Sequence, residues 1–404
     1  MQLVAGFHKR EVQALGLIGF THLMSHLYLL PLAPLLLALE GDLGINKAEF
    51  GLALAAYAIT TGVLQTPMGL LVERIGGRVV MIVGLIVTAA SFVAIGLLAT
   101  DFWSLALLLA VAGIGNSVFH PADYALLSAA IDDRRMGRAF SLHTMTGHLG
   151  FLAGPVSTAA LEPFLGWRGA VVAIGVVGLV MALVLIAAFH KIPDSRTVKK
   201  KDASIRDSLR DLLSSPAILL FFAFYTFASM ATFGMTQFSV AAFQDIYGLE
   251  RVTAVTALTA YQIGALVLVL PGGYMADRVS RYDAVIIGAF ALSAVLVMLA
   301  GTVGLPFWIC VGLLAVAGAL RGGVNAARDV AVRDVARHLP VGTVFGFVTT
   351  GFLVGQAVAG PLYGFLYDLY SPRIVFYISA AASVAAIATI MVNPGTRRAA
   401  RAVE

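Results

Sequence analysis

Two polar stripes interrupt an otherwise apolar chain, and their residue types could do chemistry. Asn116, His120 and Asp123 fall at i, i+4 and i+7 of one apolar run. Arg321, Asn325 and Arg328 repeat that spacing in a later run. On an α-helix such positions share one face. Amide, imidazole, carboxylate and guanidinium groups so aligned can hold an anion, pass a proton or pair across a gap. His22 and His26 form a third group, one helical turn apart in the first apolar run. Imidazole titrates near neutral pH, so this pair suits a proton relay or a substrate contact, against a plain role in helix packing. Two histidines without a carboxylate cluster make a poor metal site, and no metal is expected. His143 and His148, interleaved with Gly147 and Gly150, read as helix packing. Tyr261, Gln262 and Gln237 add hydrogen-bonding groups for a ligand.

The solvent that must surround these residues follows from composition. Of 404 residues, 59% are hydrophobic and 12% charged. A soluble domain carries roughly 25% charge, so water could not wet this surface. The apolar residues come in runs of about 20 or more, enough to cross ~30 Å of hydrocarbon. Unpaired backbone groups are costly in lipid, so the runs must be helices.

Twelve spans are predicted, at 12–39, 48–72, 79–100, 102–131, 138–162, 167–190, 216–245, 253–276, 283–304, 306–332, 342–368 and 372–393. The first is too long for a signal peptide and continues through Pro31 and Pro34. Residues 191–215 carry Lys191, Arg196, Lys199, Lys200, Lys201, Arg206 and Arg210 and read as a cytoplasmic basic linker. It divides a six-helix bundle at 1–190 from a second at 216–404. With both termini cytoplasmic, Lys47, Arg168, Arg251 and Arg373 are the outer cations, and Arg321 and Arg328 lie within spans. The reverse orientation breaks the positive-inside rule. The net charge of +5 is therefore a topology signal and an attraction to anionic lipid, and nucleic acid is excluded as its partner. Cys310 stands alone, so no intrachain disulfide forms.

The halves repeat. Gly69-x-x-x-Glu73-Arg74 and Gly273-x-x-x-Asp277-Arg278 each follow a proline, Pro67 and Pro271. Gly137 and Gly342, Gly154-Pro155 and Gly360-Pro361, and Trp167-Arg168 and Pro372-Arg373 keep the same offset of about 205 residues. That offset pairs Asn116 with Arg321, His120 with Asn325 and Asp123 with Arg328. Parallel six-helix repeats are a recurring transporter plan, with substrate held between the halves near the midplane. Counting ~1.5 Å per residue puts Asn116 and Arg321 ~21–23 Å deep, and Asp123 and Arg328 near the cytoplasmic boundary. A charge at Arg321's depth costs at least ~2.5–3.5 kcal/mol, so it should face a cavity or a partner. Arg321 is expected to attract an anionic or electron-rich group, against a structural pairing with a carbonyl or acid. Asp123 and Arg328 are expected to close a gate between the halves, against snorkelling to the interface.

These residues resemble the major facilitator superfamily along essentially the whole chain. Gly69-Leu-Leu-Val-Glu73-Arg74-Ile-Gly76-Gly77-Arg78 is similar to its signature loop between helices two and three. The second copy has Ser280 and Tyr282 where the first has Gly76 and Arg78. Gly150-Phe-Leu-Ala-Gly154-Pro155 resembles the fifth-helix motif of the superfamily's exporters. Gly113-Ile-Gly115-Asn-Ser-Val-Phe119-His120-Pro121, Arg135-Met-Gly137-Arg138 and Gly147-His148-Leu-Gly150 resemble the fosmidomycin-resistance group. His26 departs from that group, standing where an acid is expected. The resemblance implies that Glu73 meets the helix beginning near Gly342, with Arg74 and Arg78 making ionic contacts that form in one state and break in another. Simple topology anchoring is the other reading of those arginines.

No nucleotide-phosphate loop, paired-acid site or Cys/His cluster is present, which argues against an enzyme, ATP-driven transport and a cofactor. The leading expectation is a secondary exporter of a small amphipathic or anionic molecule, an antiporter working by alternating access, with a proton or exchange ion as driver. An uptake permease or exchanger for an organic anion, with Arg321 as its anchor, is the alternative. A membrane sensor that has kept the fold without transport is the third reading. A monomer in a bacterial inner membrane is expected.

Overall fold

The protein is described here by a computed structural model covering residues 7–132, 135–193, 212–276, 278–279, 281–335 and 341–393. Among these residues the chain is helical and contains no strand. The helices are α1 (Lys9–Leu27), α2 (Leu36–Leu43), α3 (Lys47–Ile75), α4 (Gly77–Leu98), α5 (Phe102–Asn116), α6 (Phe119–Ala130) and α7 (Met136–Ala187). The series continues with α8 (Pro216–Phe233), α9 (Ser239–Tyr247), α10 (Arg251–Ala276) and α11 (Tyr282–Thr302). It ends with α12 (Phe307–Gly323), α13 (Asn325–Val335), α14 (Val341–Leu369) and α15 (Ile374–Val392). Among the described residues, ten segments are long and apolar enough to cross a membrane. The chain divides into two compact units, Met1–Lys199 and Lys200–Glu404.

Local sequence explains where helices start and stop. Asn46 caps α3, accepting from the Glu49 amide at 2.8 Å while Glu49 accepts from the Asn46 amide at 2.9 Å. Asp101 caps α5 through the Ser104 amide at 2.8 Å. The continuous span expected over 12–39 is instead broken between Leu27 and Leu36. Pro31 and Pro34 lack the N–H groups that would bond Leu27 and Leu30 in an unbroken helix. Thr158 of α7 donates to the Pro31 carbonyl at 2.8 Å and pins the break against α7.

α7 contains two spans in one run. Gly166 turns the chain at φ 66°, ψ 171°, a conformation open to glycine, and Pro163 lies just ahead of it. Before this turn, α7 packs closely on α1. A Cβ at Gly150 would collide with the Leu23 carbonyl oxygen, and one at Gly154 would stand 2.5 Å from that of Leu27. Small residues at such a crossing let helices approach where lipid offers no hydrophobic drive.

The repeat is visible at equivalent positions within the two units. Arg168 donates to the Ala99 carbonyl at 2.8 Å, just past the end of α4. Arg373 donates to the Gly301 and Thr302 carbonyls at 3.1 and 2.9 Å, at the end of α11. Each guanidinium satisfies C-terminal carbonyls and meets the negative end of a helix dipole. The core of the second unit gathers Phe221, Phe224, Tyr225, Ile286, Phe290 and Val348.

Candidate functional site

In the first unit, the break between α5 and α6 at Ser117–Val118 divides the predicted Asn116–His120–Asp123 stripe. Pro121 cannot supply the N–H that would bond the Ser117 carbonyl. Asn116 ends α5, buried, with its Oδ1 lacking a hydrogen-bond partner among the described residues. Asp123 lies on α6 and is fully buried, 0% exposed. Its Oδ2 is 3.0 Å from Nδ1 of His22 on α1, a hydrogen bond in the tautomer protonated at Nδ1. The same oxygen is 3.7 Å from Nε2 of His143 on α7. The His22 and His143 rings stack with centroids 3.7 Å apart.

His26 and His120 complete this patch. Their rings lie 4.4 and 5.5 Å from that of His22, and 5.9 Å from each other. Gly147 makes room for the His22 ring, because a Cβ there would be 2.9 Å from its Nε2. Sequence reasoning placed His22, His26, His120 and Asp123 among candidate residues but assigned His143 to packing. Helical spacing groups residues on one helix, and this cluster is assembled from three.

In the second unit, Arg321 lies near the end of α12. Its Nε donates to Ser293 of α11 at 3.2 Å, and its Nη2 donates to Ser383 of α15. Its guanidinium carbon is 3.9 Å from the centre of the Phe290 ring. Two hydroxyls and an aromatic face thus hold the charge, and no carboxylate is in ion-pair contact with it among the described residues. Ser383 in turn donates to the Ser379 carbonyl at 2.7 Å, and Ser379 hydroxyl lies 2.9 Å from Tyr363 hydroxyl. Tyr261 and Gln262 are buried on α10, and Gln237 is buried in the π-turn Gly234–Phe238 between α8 and α9.

Asn325 begins α13 and is half-buried. Arg328 pairs with the adjacent Asp329 at 2.8 Å and lies 4.7 Å from the Tyr225 ring centre. Tyr225 donates to the same Asp329 at 2.9 Å. Asp123 and Arg328 therefore each have a partner within their own unit.

The signature loop closes α3 and opens α4. Gly69 is half-buried, Glu73 and Arg74 are exposed, and Gly76 turns the chain at φ 97°. Arg78 donates to the Phe189 carbonyl at 2.9 Å and lies over its ring at 4.2 Å. In the second copy Asp277 lies outside the described residues, while Arg278 is exposed and rests 4.6 Å from the Tyr274 ring centre. Gly154 and Pro155 are buried in α7, where Gly154 meets α1.

Comparison with known proteins agrees with this architecture. The Major Facilitator Superfamily profile matches residues 15–258 and 226–403. A probable hexose phosphate transport protein of Chlamydia trachomatis is 24% identical over 359 residues, covering 80% of this chain and 77% of its own. A probable L-galactonate transporter of Escherichia coli is 25% identical over 173 residues, 43% of this chain and 38% of its own. A membrane sensor protein of Salmonella typhimurium is 22% identical over 252 residues, 58% of this chain and 57% of its own. The crystal structure of a bacterial homologue of the human lysosomal transporter Spinster, inward-facing and unoccupied, aligns with a TM-score of 0.79. That alignment is 13% identical and covers 98% of both chains. Fold and sequence agree: the chain belongs to the Major Facilitator Superfamily, whose members are non-enzymatic transporters, and it is a multi-pass membrane protein.

Proposed function

We propose that this protein is a secondary transporter for a small organic anion, such as a sugar phosphate or a sugar acid. The observation that carries this reading is Arg321. A guanidinium at this depth is costly, and such groups are paired or functional. Here serines and a phenylalanine position the fork while supplying no negative charge. A planar fork of donors matches a carboxylate or phosphate in two-pronged fashion. Two relatives whose names specify hexose phosphate or L-galactonate transport support an anionic cargo. Alternating access is the mode, with both termini cytoplasmic, and uptake or exchange is favoured over export. Proton coupling through the His22–Asp123 pair would let an imposed gradient drive the cycle.

The test is a panel assay in proteoliposomes, using glucose 6-phosphate, galactonate and a neutral amphipathic drug, with and without a pH gradient. Anion flux that disappears in Arg321→Gln supports the proposal. Drug efflux that survives Arg321→Gln, with no anion flux in the unmutated protein, favours the exporter reading. The sensor-like relative gives the third reading a specific basis. Saturable anion binding without flux would select it.

A further inference from the structure

The cluster at Asp123 holds more lone pairs than its own contacts use. Asp123 Oδ1 is buried with no hydrogen-bond partner among the described residues, and so are both ring nitrogens of His143. Asp123, His143 and His22 are 0%, 2% and 3% exposed. Buried polar atoms are nearly always partnered, so three unpartnered atoms in one place call for an occupant. Ligand atoms from His22, Asp123 and His143 all lie within 4.8 Å of one another.

Their spacing is informative. Ligands held at ~2.0–2.1 Å around a tetrahedral ion stand about 3.3 Å apart. The separations to Asp123 Oδ2 are 3.0 Å from His22 and 3.7 Å from His143. We propose that His22, Asp123 and His143 form a binding site for a divalent first-row transition ion of the Zn²⁺ class. Two imidazoles and one carboxylate form a borderline donor set, whereas Mg²⁺ and Ca²⁺ prefer oxygen ligands throughout.

The absent carboxylate that argued against a metal in the sequence is supplied by α6. Turning the His143 ring onto an ion breaks no hydrogen bond and gives up its stacking on His22. Three protein ligands leave a fourth position open to water or another donor. His26 and His120 place two more imidazoles beside that position. Among the described residues Asp123 has no lysine or arginine in ion-pair contact, so no side-chain cation competes for its carboxyl oxygens. A bound ion would tie α1, α6 and α7 together. This site is separate from Arg321 and stands or falls independently of the anion proposal.

The experiment uses the untagged, chelator-treated full-length protein in detergent. Zn²⁺ is titrated by calorimetry, and Co²⁺ replaces it as an absorbing probe. The expected result is a single ion bound with proton release, a raised Tm, and tetrahedral Co²⁺ bands that excess Mg²⁺ does not remove. Asp123→Asn and His143→Gln should each weaken binding by at least about 100-fold, given that even supporting residues are worth 10–100-fold. His148→Gln, outside the ligand set, should bind as the unmutated protein does. Absence of both heat and a Tm shift in the unmutated protein overturns the proposal, as does unchanged affinity in the Asp123→Asn/His143→Gln double variant. If those variants fail to fold, the Co²⁺ spectrum of the unmutated protein decides: tetrahedral bands support the site, and an aqua-ion spectrum overturns it.

Discussion

The Arg321 guanidinium stands 3.9 Å above the Phe290 ring, with an aromatic face where an acid would ordinarily neutralise it. A desolvated cation–π contact of this kind is worth ~2 kcal/mol. Phe290→Leu keeps an apolar side chain of slightly smaller volume and removes the quadrupole. It should lower stability in detergent by about 1–2 kcal/mol, read from thermal unfolding. No measurable loss would assign Arg321's retention to the serines alone.

Charge and shape at Arg321 are separable. Arg321→Lys keeps the cation and removes the fork that reaches Ser293 and Ser383 together. Anion affinity in proteoliposomes should fall by about tenfold or more, roughly the ~1.4 kcal/mol of one charge-assisted hydrogen bond. Full activity in the lysine variant would show that charge suffices.

Asp123 and His22 should respond unequally to truncation. Removing His22 leaves a buried carboxylate with His143 at 3.7 Å, whereas removing Asp123 leaves imidazoles that can stay neutral. A buried carboxyl group left without its hydrogen bond costs ~1–3 kcal/mol. His22→Leu should therefore destabilise by about 1–3 kcal/mol more than Asp123→Leu, measured by thermal unfolding in the same detergent. Equal losses would mean that the remaining imidazoles replace the His22 hydrogen bond.

The α1–α7 crossing tolerates no side chain at Gly150, where the Leu23 carbonyl lies in contact. Gly150→Val should cost about 1–3 kcal/mol through overpacking and should displace His22 with its helix. Gly16, on the same α1, has open space beside it, and Gly16→Ala should be neutral or slightly stabilising. Comparable losses at both positions would refute the crossing as the cause.

Glu11, one residue ahead of the first predicted span, ties α1 to the loop before α7. It accepts from the His8 amide at 2.8 Å, the Asp132 amide at 3.1 Å and Arg135 Nη2 at 2.9 Å. Burial pushes its carboxyl up, but these donors and the arginine charge overcome that and hold it down at about 2. A depressed folded value means this stabilisation is fully present above the usual ~4.3 and lost as pH falls towards 2. Glu11→Gln should flatten the fall in Tm over that acid window. Parallel curves for the variant and unmutated protein would remove Glu11 from the account.

The apolar runs and the repeat were legible because hydropathy and offset are properties of sequence position. Arg168 and Arg373, equivalent by offset, make equivalent helix-end contacts. The unbroken first span was misread because length and hydropathy outweighed Pro31 and Pro34, whose missing N–H groups end α1 early. Spacing could not anticipate that Ser293 and Ser383 would reach Arg321 from separate helices. The same limit hid His143, because its relation to Asp123 is created by the crossing of α7 on α1. Short-range periodicity carries faces, and tertiary packing decides which faces meet.

The turn at Gly166 also bears on how the chain is made. It joins two hydrophobic spans through a connection of only a few residues between Glu162 and Arg168, and the exposed Phe164 sits beside the turn. So short a connection should make the two spans enter the bilayer together as a hairpin rather than one after the other. An epitope or protease site inserted at this turn would split that hairpin at birth, before any question of transport arises.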